Sequence, residues 1–166
     1  PHSGAQFQIL QNKAHARRLS GSHFMPHWPQ PGLIPRATAR GNRFETAAFL
    51  GDPSNLPPEL ADPLLSSCLQ EKTGMRFEIR ENTRWHDYSD VDLVIAIRDF
   101  SGARHLHKPA TKLYNAWLAG VPIICGLDSA CSAEGRRGED YLVARSFEEL
   151  MNSVLLLKDH PADRRC

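Results

Sequence analysis

The apolar positions follow two regimes. From Glu45 onward, short apolar runs alternate with helix-periodic stretches. TAAFLG (46–51), MRFEI (75–79), VDLVIAI (91–97), VPIICG (121–126) and YLVA (141–144) read as strands. VDLVIAI is the strongest: six of its seven residues are apolar and four are β-branched. Such continuous runs suit parallel strands covered on both faces. Helices fit between them. Asp62 and Pro63 supply an N-cap and a first-turn proline, and the helix that follows would bury Leu64, Leu65, Cys68 and Leu69 and end at Gly74. Pro109 to Ala119 reads as a second helix, stopped by Gly120. Ser146 and Glu149 form a capping box. Phe147, Leu150, Met151, Val154 and Leu155 then form the core stripe of a third. This alternation predicts an α/β fold, a Rossmann-like parallel sheet with flanking helices, over residues 44–160.

The first regime is different. FQIL (7–10) and SHFM (22–25) read as short strands around a basic helical stretch at Lys13–Leu19, a partial strand-helix-strand unit within residues 1–25. PHWPQPGLIPR (26–36) then places four prolines in eleven residues. Proline fixes φ and removes a donor, so residues 26–43 read as an extended hinge. Trp28, inside it, would seal a domain interface or pack the hinge down.

A length of 166 residues suits one domain, or one domain with part of another. The opening at Pro1 reads as a fragment or a processed product. A net charge of +1 argues against a strongly basic nucleic-acid binder. No apolar run approaches the ~20 residues of a membrane span, and PHSGAQFQIL has no secretory pattern. Cys68, Cys125, Cys131 and Cys166 lack CxxC spacing, which fits a reducing, cytoplasmic compartment, and Cys68 and Cys125, within apolar helix and strand patterns, read as small buried hydrophobes. The charge is uneven. Residues 1–50 carry six Lys or Arg and one acid, the rest 14 basic and 18 acidic residues. That asymmetry reads as an anionic partner, an electrostatic seam or a solvated surface.

Ligands of open α/β sheets bind beyond the carboxyl ends of the strands. Gly51, which permits close backbone approach or serves a turn, follows the first strand. Arg98, Arg104, His105, His107, Lys108 and Lys112 crowd the segment after the third. Lys108, Lys112 and Asn115 share one helix face. Lys108 and Lys112 lie at the positive end of the helix dipole, where cations are disfavoured. A bound anion reverses that cost, so the pattern points to phosphate, such as a nucleotide pyrophosphate; exposed surface cations are the alternative. No G-x-G-x-x-G, P-loop or G-x-S-x-G motif is present. The pairs His23/His27 and His105/His107 lack a third ligand, so no metal is expected. Asp87, Asp90 and Asp92 precede a strand at the opposite edge and read as turn and cap residues. Trp117 reads as a core anchor.

The segment HKPATKLYNAWLAGVPIICG (107–126) resembles the donor-binding segment of GT-B-fold glycosyltransferases, closest to bacterial proteins of this fold. The likeness rests on Lys108, Lys112, Asn115 and the Ala119-Gly120-Val121-Pro122 turn, with YSDVDLVIAIR (88–98) as the preceding strand. PHWPQPGLIPR and FETAAFLGD (44–52) look like the hinge and the first strand of the C-terminal half. The resemblance covers about residues 22–158. It implies a metal-independent enzyme with no cofactor, taking a sugar from a nucleotide-sugar to an unknown acceptor. Gly51, Arg98, His107, Lys108, Lys112 and Asn115 would hold the donor. Residues 1–25 would be a remnant of, or extension to, an N-terminal Rossmann-like domain. Where many retaining members carry Glu-x7-Glu, this chain has His107 and Asn115, so the resemblance implies no retaining assignment. A non-catalytic module that binds a nucleotide or phosphate ligand is the second expectation. A basic-arm protein-interaction domain is a third.

Overall fold

The structure is a computed structural model and describes residues 5–164. A small unit comes first: strand β1 (Gln8–Leu10), helix α1 (Lys13–Ala16) and strand β2 (Ser22–Phe24), with the two strands parallel. The main domain follows: β3 (Thr46–Leu50), α2 (Pro58–Ala61), α3 (Pro63–Thr73), β4 (Arg76–Arg80), β5 (Leu93–Ala96), α4 (Thr111–Ala119), β6 (Ile123–Cys125), α5 (Ser129–Glu134), β7 (Leu142–Val143) and α6 (Phe147–Asp159). Its five strands form one parallel sheet in the order β4-β3-β5-β6-β7. The fold is the expected Rossmann-like α/β arrangement.

The pleat sorts side chains to two faces. On β3, Ala47 and Phe49 face one core while Ala48 and Leu50 face the other; on β5, Leu93 and Ile95 oppose Val94 and Ala96. Helices α3 and α6 cover the first face through Leu65, Leu69, Leu150, Met151, Val154 and Leu157. Helices α4 and α5 cover the second through Leu113, Ala116, Ala119, Ala130 and Cys131. Of the expected core positions, Cys68 and Phe147 are partly buried against the first face, and two others depart further. Leu64 is exposed, because it lies on the outer side of α3 next to the Asp62 cap, whose side chain accepts from the Leu64 amide. Leu155 is half-buried, and Leu157 takes its place in the α6 stripe. The strands are also shorter than their apolar runs, since those runs continue into buried loop positions such as Val91, Ile97 and Val121.

The outer strand β4 carries alternating charges that pair along its surface. Arg76 Nε lies 2.7 Å from Glu78 Oε1, and Arg80 Nη2 lies 2.8 Å from Asp90 Oδ1. The opposite edge, β7, is only two residues long.

Two buried polar side chains fasten the preceding segments to the main domain. Asn12 caps α1: its Oδ1 accepts from the His15 amide at 3.0 Å. Its Nδ2 donates to Lys108 O at 2.8 Å and to Ser129 Oγ at 3.0 Å. Asp92 fixes the hinge. Its fully buried carboxylate accepts from Arg36 Nε at 3.0 Å, Arg40 Nη2 at 2.6 Å, and the Glu45 and Thr46 amides at 2.9 and 3.0 Å. The turn-and-cap reading holds for Asp87, which accepts from Ser89 N and Oγ, but not for Asp92. Arg36 and Arg40 form an internal electrostatic seam.

Candidate functional site at the switch point

The chain winds outward from β3 in both directions, to β4 on one side and β5 on the other. The crevice between β3 and β5 at their carboxyl ends is therefore the topological switch point, where ligands of such sheets bind. Gly51, Arg98, Lys108 and Lys112 gather here.

Gly51 follows β3 directly, and Lys112 from the first turn of α4 reaches across it. A Cβ on Gly51 would lie 2.8 Å from Lys112 Nζ, 3.0 Å from Cε and 3.2 Å from the Phe49 ring. The glycine is required by this approach and not by its backbone angles. The ammonium sits 4.8 Å from the centroid of the Phe49 ring. Among the described residues it makes no hydrogen bond or ion pair. Burial, and then the Arg98 charge, push Lys112 down to about 8, against the opposing pull of Asp128.

Arg98 follows the end of β5. Its Nε donates to Asp128 Oδ2 at 3.0 Å, while Asp128 Oδ1 caps α5 by accepting from the Ala130 amide at 2.7 Å. Lys108 Nζ donates to Asn55 Oδ1 at 3.3 Å across the crevice. Asp52 is also nearby. Hydrogen bonds from Ser54, and more weakly the Lys108 charge, hold its carboxyl below the usual range. Helix α4 begins without a side-chain cap, since its N-cap is Ala110, so no side chain accepts from its first amides.

Two expected residues stand apart. His107 is exposed and does not line the Lys112 cavity; its ring meets His105 edge-on at 6.2 Å. Asn115 is buried one turn along α4, where its Oδ1 accepts from the Gln30 amide at 3.0 Å. It holds the hinge. His105, by contrast, is held in the loop after β5 with its Nε2 against Asp99 Oδ2, at a left-handed φ of 44°. Burial pushes the Asp99 carboxyl up, but hydrogen bonds from Ser101 and His105 together outweigh it and hold the group below its ordinary range.

The space is uneven. A cavity of about 10 Å³ lies against Phe49, Arg98, Lys112, Asp128 and Cys131. That admits one water-sized group. Asp128 also lines a wider cavity of about 420 Å³ with Arg104, Gly126, Arg137 and Tyr141, beyond β6 and β7. This second volume is within the range of small-molecule sites. A 680 Å³ apolar groove elsewhere runs between Trp28 and the outer face of α4, at Tyr114, Trp117 and Leu118. Trp28 is 80 % exposed, so it is not packed down by the described residues.

Asp128 and Cys131 were given no role by sequence reasoning. An Asp-Ser pair ahead of a helical stretch is a cap signal that would have placed the first; nothing in the spacing marks the second. Among the described residues no three His, Cys, Asp or Glu side chains come together as a metal-ligand set, and no helix is long and apolar enough to cross a membrane. No family model matches the chain, and no curated protein matches it.

Proposed function

We propose that the main domain is the donor-binding half of a GT-B-like glycosyltransferase, acting in the cytoplasm on a nucleotide-sugar and an acceptor of unassigned chemistry. One observation carries the reading. A half-buried ammonium, Lys112, which makes no hydrogen bond or ion pair among the described residues, rests on a glycine at the switch point of a parallel sheet. A buried unpaired charge is costly, and an anion offsets that cost. The start of α4, whose first turn carries Lys112, has no side-chain cap and so leaves backbone amides for the same anion.

In glycosyl transfer, negative charge grows on the leaving diphosphate. Lys112 and the α4 amides stabilise it as it forms, with Lys108 at the mouth. Arg98, tied to Asp128, orients the site more than it neutralises. The nucleotide has room in the wider cavity past Asp128. The nucleotide-sugar is substrate, and the reading requires no cofactor.

A second reading, a non-catalytic phosphate-ligand module, is supported by the side chains at the positions of the missing carboxylates. His107 is exposed, and Asn115 is committed to Gln30.

The test is a thermal-shift series with UDP, GDP, ADP, CMP and their sugar conjugates, on the protein and on Lys112→Ala. A ligand at ~100 times its Kd adds about 2.7 kcal/mol. A shift with one nucleotide that is lost in Lys112→Ala supports a donor site; no shift with any of them overturns it. Release of free sugar from the shifting conjugate separates the enzyme from the binding module.

A further inference from the structure

Beside the Lys112 cavity lie two thiols that the proposed chemistry does not use. Cys125 is the last residue of β6, and Cys131 lies in the first turn of α5. Their sulfurs are 3.0 Å apart. Closure to a disulfide length of about 2.05 Å needs a movement of roughly 1 Å. The segment between them bends at Leu127 and is held by the Asp128 cap, and the two sulfurs already face each other. Cys125 is fully enclosed, whereas Cys131 is 6 % exposed and lines the crevice cavity with Lys112 and Arg98. Of the two, Cys131 is the thiol that an oxidant approaching from the crevice side reaches first.

We propose that Cys125 and Cys131 form an oxidation site, a dithiol that a peroxide-class oxidant converts to an intramolecular disulfide and a dithiol reductant restores. The Cys131 sulfur attacks one peroxide oxygen; the O–O bond breaks, giving the Cys131 sulfenic acid and one water. The Cys125 sulfur then attacks the sulfenic sulfur. The S–S bond forms, the S–O bond breaks, and the departing hydroxide takes the Cys125 proton as a second water. Two thiols and one peroxide give one disulfide and two waters.

The closed form ties the start of α5 to the end of β6, and with it the Asp128 that holds Arg98. It also removes a thiol from the wall of the Lys112 cavity. The inference does not depend on which ligand that cavity binds. Such reversible pairs suit a reducing compartment, where stable structural disulfides are rare.

The test treats the folded chain with hydrogen peroxide, blocks remaining thiols with iodoacetamide, and maps peptides without reduction. The expected product is the peptide containing both residues, lighter by two hydrogens and free of alkylation. Cleavage ahead of Asp128 then leaves two pieces joined until a dithiol reductant is added. Cys131→Ser abolishes the product. Cys68→Ser with Cys166→Ser leaves it unchanged, a control that holds even if Cys131→Ser folds poorly. Alkylation of both thiols after peroxide, or a Cys131 sulfinic acid with Cys125 still free, overturns the proposal, as does a disulfide that joins either residue to Cys68.

Discussion

The ammonium of Lys112 lies so close over Gly51 that the two residues form one device: the glycine leaves a gap at the end of β3, and the lysine fills it. Gly51→Ala places a methyl group against the flexible end of a side chain and not against backbone. The expected cost in stability is modest, on the order of 1 kcal/mol, because Lys112 can swing aside. The expected cost in phosphate-ligand affinity is larger, tenfold or more, because the ammonium then leaves its position. Paired urea titrations and ligand titrations check this; equal losses in both would sink it.

The Lys112 proton gives a pH signature. Its folded pKa, about 8, lies below the ordinary lysine value of 10.5. The folded protein therefore releases this proton first as pH rises, and the unfolded chain binds more protons between the two values. Stability contributed by this group thus rises from pH 8 to 10.5 and is flat below 8. Anion affinity runs the other way and falls as pH passes 8. Lys112→Met should remove the stability slope and add on the order of 2 kcal/mol at neutral pH, since it removes a buried charge. Urea midpoints across this range, for both proteins, decide the matter.

Asp92 holds two arginines and two backbone amides while fully buried. Asp92→Ala leaves both guanidinium groups and both amides without this acceptor. Breaking such a pair costs roughly 3–5 kcal/mol, a large share of the ~5–15 kcal/mol that stabilises a domain. The hydrogen bonds from Arg40, Glu45 and Thr46 keep its carboxyl below the usual range despite burial. Its contribution is therefore complete above the ordinary carboxylate pKa and is lost as pH falls through the folded value. Acid titration of stability should be flatter in Asp92→Asn than in the parent. An unchanged acid slope would show that other carboxylates dominate.

Asn12→Ala removes a helix cap and both hydrogen bonds from the first unit to the main domain. A cap of this kind contributes about 1 kcal/mol. The expected outcome is local: faster amide exchange in β1, α1 and β2, with exchange in β3 and β5 unchanged. Uniform acceleration throughout would show instead that this unit supports the entire core.

The strands of the main domain were legible because buried parallel strands write themselves as apolar runs. Cap and stop residues placed α3 from Asp62 to Gly74, as the structure has it. The gathering of Gly51, Arg98, Lys108 and Lys112 was legible too, once strand order was read as parallel. Asn115 was not. A helix-face rule puts it beside Lys112, but one turn along α4 the same side passes beneath the hinge, and the Gln30 amide claims it. Asp92 was hidden for a related reason. Its partners Arg36 and Arg40 come from a proline-rich stretch whose path over the sheet no local pattern encodes.

The paired charges along β4 have a consequence for how copies of this chain meet. A bare strand at the rim of a sheet invites another chain to join it through main-chain bonds, the first step of ordered aggregation. Here one rim presents Arg76 and Glu78, with the buried Arg80 paired to Glu78 and Asp90 behind them, and the other, β7, is only two residues long. The sheet is closed to growth at both sides. Crowding or partial heating should therefore drive copies together through their helical faces, with the exposed Trp28 groove as the apolar surface to watch, and not through runaway strand addition.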